Sequence, residues 1–110
     1  MNTRITFNWT DNYNEGLPNC GFPVGSETVV LGELYSFEDY LNDRYDNIVG
    51  DNGEMYGAER DEDAEGFYWI MKKTACVDAN GEYYEVVERT NTAYQVIEEN
   101  ATEEEPRDVG

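Results

Sequence analysis

With 110 residues, 25 acidic against 7 basic side chains and no histidine, the chain has a formal charge of −18. That length sets one domain with a modest core, and 14% aromatic content supplies enough large apolar surface to exclude a wholly disordered acidic polypeptide. The negative field excludes direct binding to nucleic-acid phosphates, the missing imidazoles exclude Ser-His-Asp catalysis and His-ligated metals, and no apolar run reaches membrane-span length.

Residues 4–10, "RITFNWT", alternate Ile5, Phe7 and Trp9 with polar side chains. Period two in β-forming residues predicts a strand with one buried face. Residues 11–26 are rich in Asn, Gly and Pro and read as a loop. Residues 27–35 read as a second strand, with Gly32 as a bulge or a close backbone contact.

Residues 36–49 form the one strong helix signal. Ser36 is the N-cap, Glu38 and Asp39 complement the dipole in the first turn, and Asp39 completes an S-x-x-D capping box. Phe37, Tyr40, Leu41, Tyr45 and Ile48 make an apolar stripe at helical spacing, and Gly50 is a C′ stop. Residues 51–66 read as an acidic, Gly-containing loop with a short helical turn near 58–65.

Residues 67–77 are the next strand. Asn80-Gly81 then predicts a two-residue type I′ turn that pairs Val77 with Tyr84, Ala75 with Val86 and Lys73 with Glu88. The return strand covers 82–90, a turn falls near 90–92, and one more strand covers 92–99. The reading is α+β: an antiparallel sheet of four to five strands with one main helix packed on it. The compact domain spans 1–99, and 100–110 is a flexible acidic tail.

Charge is unevenly spread. Residues 38–65 hold eleven acids and two bases, half of the net charge, whereas 66–97 hold four acids and three bases. On a helix, residues three and four apart lie about 5–6 Å from one another, so Asp39, Asp43 and Asp46 form a row of carboxylates. Asp51, Glu54, Glu59, Asp61, Glu62, Asp63 and Glu65 extend it, and Tyr56 is a candidate interface anchor. DNA carries one charge about every 1.7 Å of helix axis, so a row of carboxylates on a rigid fold can act as a decoy for a protein that binds nucleic acid. The competing reading of any such row is a solvated face.

No catalytic residues and no cofactor are expected. The two cysteines, Cys20 and Cys76, form no CxxC, predict thiols in a reducing cytoplasm and leave open whether they pair. Neither Asp46 nor Asp61 starts an EF-hand loop, because the required Gly, Glu and spacing fail in both frames. An irregular cation site in 59–65 is a minor alternative.

In size, charge, lack of His and the runs "ERDEDAE" and "EENATEEE", the chain resembles small acidic nucleic-acid-mimic inhibitors of phage and mobile elements, of anti-CRISPR and antirestriction type. Tyr13-Asn14-Glu15-Gly16-Leu17, followed by Gly21-Phe22, is similar to the opening of ArdA-type antirestriction proteins, with the glycine spacing off by one and the usual Trp absent. The resemblance implies a basic nucleic-acid-binding partner, a CRISPR effector or a restriction enzyme. An immunity protein or antitoxin for a basic nuclease toxin, and a structural protein whose acidity only keeps it soluble, are the alternatives.

Overall fold

The computed structural model describes residues 1–11, 22–50 and 52–106. The chain runs β1 (Asn2–Asp11), β2 (Phe22–Leu31), α1 (Phe37–Tyr45), β3 (Met55–Arg60), β4 (Phe67–Val77) and β5 (Tyr83–Thr102). The strands form one sheet in the order β2-β1-β5-β4-β3, and every pairing is antiparallel. The first and last strands thus lie side by side in the middle. The link between β2 and β3 joins the two outer edges, and α1 lies within it across one face. Among the described residues, no helix is long and apolar enough to cross a membrane.

The alternation in β1 does what its period requires. Ile5 and Phe7 turn inward to meet Val29 and Leu31 of β2, Ile70 of β4, Tyr94 of β5, and Phe37, Tyr40 and Leu41 of α1. Phe7 is fully buried, with its ring centroid 4.9 Å from Phe37, 5.7 Å from Tyr94 and 6.2 Å from Tyr40. Trp9 lies over Gly25, its partner across the strands, where any Cβ would collide with the indole ring. A smaller cluster of Phe67, Trp69 and Ala93 is separate from this core.

The helix is shorter than the stripe predicts. The capping box forms as expected, but α1 ends at Tyr45 and Asp46 is its C-cap. Asp46 and Asn47 are weak helix formers, and the last turn tightens through Asp46 N–H to Asp43 O (3.3 Å) and Ile48 N–H to Tyr45 O (3.1 Å). Val49 then makes a β-bridge to Met55, so Ile48 is exposed instead of completing the stripe and Gly50 is not the helix stop.

Further expectations change. Residues 55–60 form an edge strand, not a loop, and residues 22–26, expected in a loop, belong to β2, which ends before Gly32. β3 is held on both sides: β4 pairs with it, and on its outer edge Asn42 of α1 accepts from Ala58 N–H (2.8 Å) and donates to Ala58 O (3.2 Å). The β4–β5 turn has three residues. Asp78 N–H bonds Glu82 O, Gly81 N–H bonds Asp78 O, and Gly81 takes φ +79°, the glycine-favouring position of a type I turn with a G1 bulge. Register shifts by one, so Val77 faces Tyr83 and Lys72, not Lys73, faces Glu88.

The expected turn at 90–92 is instead an irregularity within one continuous strand. β5 passes from Arg89 opposite Met71 to Ala93 opposite Trp69. The Thr90 hydroxyl bonds Ile70 O (2.6 Å) and accepts from Thr92 N–H (3.2 Å), so local turn chemistry bends the strand without reversing it. β5 also continues past residue 99, with Asn100, Ala101 and Thr102 paired to β1. Residues 107–110 of the expected tail lie outside the described residues.

Asn42→Ala removes both amide bonds to Ala58 and leaves the β3 edge without that partner. It is expected to lower stability by about 1–3 kcal/mol in urea unfolding, with faster exchange of the Ala58 amide.

Candidate functional site

The 61–66 connection between β3 and β4 is pinned at several points. Asp61 N–H bonds Phe67 O (2.9 Å), Phe67 N–H bonds Ala64 O (3.2 Å), and Val96 N–H of β5 bonds Gly66 O (2.9 Å). Ala64 packs on the Phe67–Trp69–Ala93 cluster. Asp61 turns inward: its carboxylate accepts from the Trp69 indole N–H (3.0 Å) and from Asp63 N–H (2.9 Å). The Arg89 guanidinium sits 4.3 Å from the Trp69 ring. The indole N–H bond, then the Asp63 N–H bond and the Arg89 charge, hold the Asp61 carboxyl below the usual carboxylate range. Asp61 is therefore a tie, and the connection it fixes displays Glu62, Asp63 and Glu65 to solvent.

Beside this connection lies an open groove of about 430 Å³, lined by Ser36, Glu38, Glu59, Arg60, Glu62 and Tyr68. The first turn of α1 contributes Glu38, and β3 contributes Glu59. A second depression, of about 480 Å³, adjoins it through Ser36 and Tyr68 and includes Glu33, Asp39 and Glu99. Burial, then the charges of Glu38 and Glu99, raise the Tyr68 phenol above its usual value, with Arg60 opposing.

The candidate carboxylates divide into distinct settings. Asp39 closes the capping box with Ser36 N–H (3.3 Å), and Asp43 accepts the Tyr35 hydroxyl. Burial first, and then Asp43, push Tyr35 up to about 12. Glu38 lines the groove and Asp39 the adjoining depression, whereas Asp43 and Asp46 line neither, so the Asp39, Asp43 and Asp46 row does not merge with Glu59–Glu65 into one stripe. Glu54 closes its own turn by accepting from Asn52 N–H (3.0 Å), and bonds from its own and Asn52 backbone lower its pKa. Tyr56 is half-buried against the main core. Asp51 lies outside the described residues, as do Cys20 and residues 12–21 that carry most of the ArdA-like segment.

The structure therefore brings Glu59 and Glu62 together at one groove, leaves Asp63 and Glu65 exposed on the connection beside it, and adds two residues that sequence reasoning left out. Glu38 was read only as a dipole partner. Glu99 reaches this end because β5 pairs Glu99 with Ile5, a long-range contact that no local pattern signals. Positive charge is used elsewhere: Arg4 pairs with Glu104 (2.7 Å), Arg44 with Glu27 (3.0 Å) and Lys72 with Glu88 (3.5 Å). Among the described residues, Glu59, Glu62, Asp63 and Glu65 make no side-chain hydrogen bond or ion pair, and Arg60 is the one base lining the groove. Among the described residues, no group of three or more Cys, Asp and Glu is arranged to hold a metal ion. Cys76 is a free thiol.

No family model, curated protein or solved structure matches this chain.

Two measurements check this electrostatic picture. Because the Asp61 pKa is depressed on folding, its stabilisation is present above the unfolded carboxylate value of about 3.9 and is lost as pH falls through the folded value. In Trp69→Phe, a carbon-detected NMR titration is expected to move the Asp61 midpoint upward; an unmoved midpoint would show that the indole bond does not set it. Added salt screens the crowded carboxylates over roughly 10 Å at 0.1 M, so the thermal midpoint is expected to rise with sodium chloride.

Proposed function

We propose that this protein is an acidic, non-catalytic inhibitor that occupies the basic nucleic-acid-binding surface of a host defence protein, a CRISPR effector or restriction enzyme, by presenting charge as DNA or RNA does. The observation that carries this reading is the group of Glu38, Glu59 and Glu62 around one groove, with Asp63 and Glu65 exposed on the same pinned connection and few local counter-charges. A duplex offers its partners a dense row of negative charge, and carboxylates gathered on a helix turn and an adjoining hairpin offer the same sign of field. Fixed backbone matters because a partner then pays little ordering entropy on binding. A purely solubilising surface has no need of an indole-anchored loop beneath its acids.

The test is competition. The purified protein is titrated against a panel of CRISPR effectors, restriction enzymes and a basic nuclease, with labelled duplex DNA as competitor. A target is expected to lose DNA as the protein is added, and binding is expected to weaken steeply with salt. Glu59→Gln, Glu62→Gln, Asp63→Asn and Glu65→Gln combined are expected to weaken it by at least about tenfold, or 1.4 kcal/mol, without loss of folding, since none of the four is tied internally. A partner that binds the quadruple variant equally well, or binds DNA simultaneously, would falsify charge mimicry at this surface. Displacement only from the nuclease would transfer the reading to an immunity protein.

A further inference from the structure

The β4–β5 ribbon is a feature that charge display does not explain. β3 pairs with β4 only as far as Lys73, and β1 pairs with β5 only over Ala93–Thr102. Beyond those limits, residues 74–77 and 83–91 form a two-stranded arm in a molecule 54 Å long and 24 Å across its narrowest axis. Val77, Tyr83, Tyr84 and Val87 on this arm are 57%, 79%, 50% and 46% exposed.

The arm leaves a strand edge without a neighbour among the described residues. The bond from Asp78 N–H to Glu82 O sets the phase of the ladder. By antiparallel alternation, Tyr84, Val86 and Glu88 exchange backbone bonds with β4, while Tyr83, Glu85, Val87 and Arg89 direct N–H and C=O groups outward. The outer edge of β3 meets the Asn42 amide, but among the described residues no such cover lies along β5 here. Such an edge is a template for another strand.

We propose that a second copy of this chain docks along this edge, joining β5 to β5 about a two-fold axis through Val87. In that register Val87 faces Val87, and Glu85 of each copy faces Arg89 of the other, giving two identical ion pairs from the single segment "EVVER". An isologous interface requires this kind of self-complementarity. Outward backbone groups meet outward groups only when the register moves by two. Those neighbouring registers set Glu85 opposite Val87, or Glu88 opposite Glu88, and lose both ion pairs. Arg89 can keep its place over Trp69, because a guanidinium stacked on a ring still directs its N–H groups outward in its own plane.

The arm with its turn, residues 74–91, carries four acids and one base, and two of these, Glu85 and Arg89, are matched across the two-fold axis. Joining the arms leaves the groove around Glu59 and Glu62 at the outer ends. At physiological salt the Debye length is about 8 Å, so repulsion between the distant acidic ends is largely screened. The dimer does not depend on the inhibitor reading; it would display two acidic grooves whatever their partner.

Sedimentation velocity of the full chain over a concentration series at 0.15 M salt is expected to show a reversible monomer–dimer equilibrium. Glu85→Arg and Arg89→Glu are each expected to weaken it by at least about tenfold, by placing like charges opposite one another. The two together restore the ion pairs with reversed sign and are expected to restore dimerisation. Val87→Pro removes an outward N–H, a position that tolerates proline at an edge, and is expected to abolish the dimer while the amide spectrum of β1 and β2 is retained. In the dimer the amides of Glu85, Val87 and Arg89 become protected from exchange, whereas in the monomer only the alternate set is. A monomer at every concentration overturns the proposal, as does a dimer that survives Val87→Pro or is not rescued by the charge swap.

Discussion

The contact on which the fold depends is the packing of Phe7. Its ring meets Phe37 and Tyr40 of α1 and Tyr94 of β5 from a position on β1 that has no exposed surface. The sheet consists of a β1–β2 pair and a β3–β4–β5 meander, and the two halves meet at the β1–β5 seam. Phe7 lies on that seam under the helix, so one aromatic cluster joins both halves and fixes α1 above them. Tyr94 extends the cluster to the other end of the helix, where its hydroxyl lies 2.9 Å from that of Tyr45. Burial of these rings is the main term set against both chain entropy and the repulsion of 25 acids.

That repulsion is managed by position. Several carboxylates close local backbone motifs: Asp39 a helix cap, Glu54 and Asp78 turns, Asp61 the connection next to Trp69. Their charge is offset by donors, and they stabilise structure in the process. The bases serve as cross-links between elements, Arg44 from α1 to β2 and Arg4 from β1 to the segment after β5. These pairs are partly exposed, so each contributes little to stability. Their larger effect is to leave the groove between α1 and β3 with few counter-charges. The same chain thus has a field-dominated end and an end dominated by backbone and apolar edges.

The reading from sequence succeeded where local signals and long-range packing agree. β4 occupies the expected residues 67–77, because a run of aromatic and apolar side chains suits a strand in the interior of a sheet. The cap at Ser36 and Asp39 formed because capping is a local hydrogen-bond exchange. It failed where the deciding partner is distant. Met55–Arg60 contains Gly, Ala and Glu, poor strand formers, and becomes a strand because β4 and Asn42 supply bonds on its two sides. Residues 90–92 carry turn chemistry, but pairing to β4 before them and to β1 after them converts the turn into a bend. Among the candidate site residues, Glu59, Glu62, Asp63 and Glu65 were legible as a run. That Asp61 is internally bonded, and that Asp43 and Asp46 stand away from the groove, was not.

The sequence by itself determined the composition of the problem: an α+β chain with alternating strands, one capped helix, a charge of −18 and half of that charge in residues 38–65. These follow from residue types and periods that act over a few positions. Only the tertiary structure decided which acids are spent on the fold and which are displayed. It also decided that Glu38 and Glu99 both act on Tyr68, and that, among the described residues, β5 leaves one edge without a neighbouring strand. Those outcomes depend on strand order and register. A one-residue shift in the β4–β5 turn changes every cross-strand partner, and the energies that choose it are summed over pairs far apart in the chain.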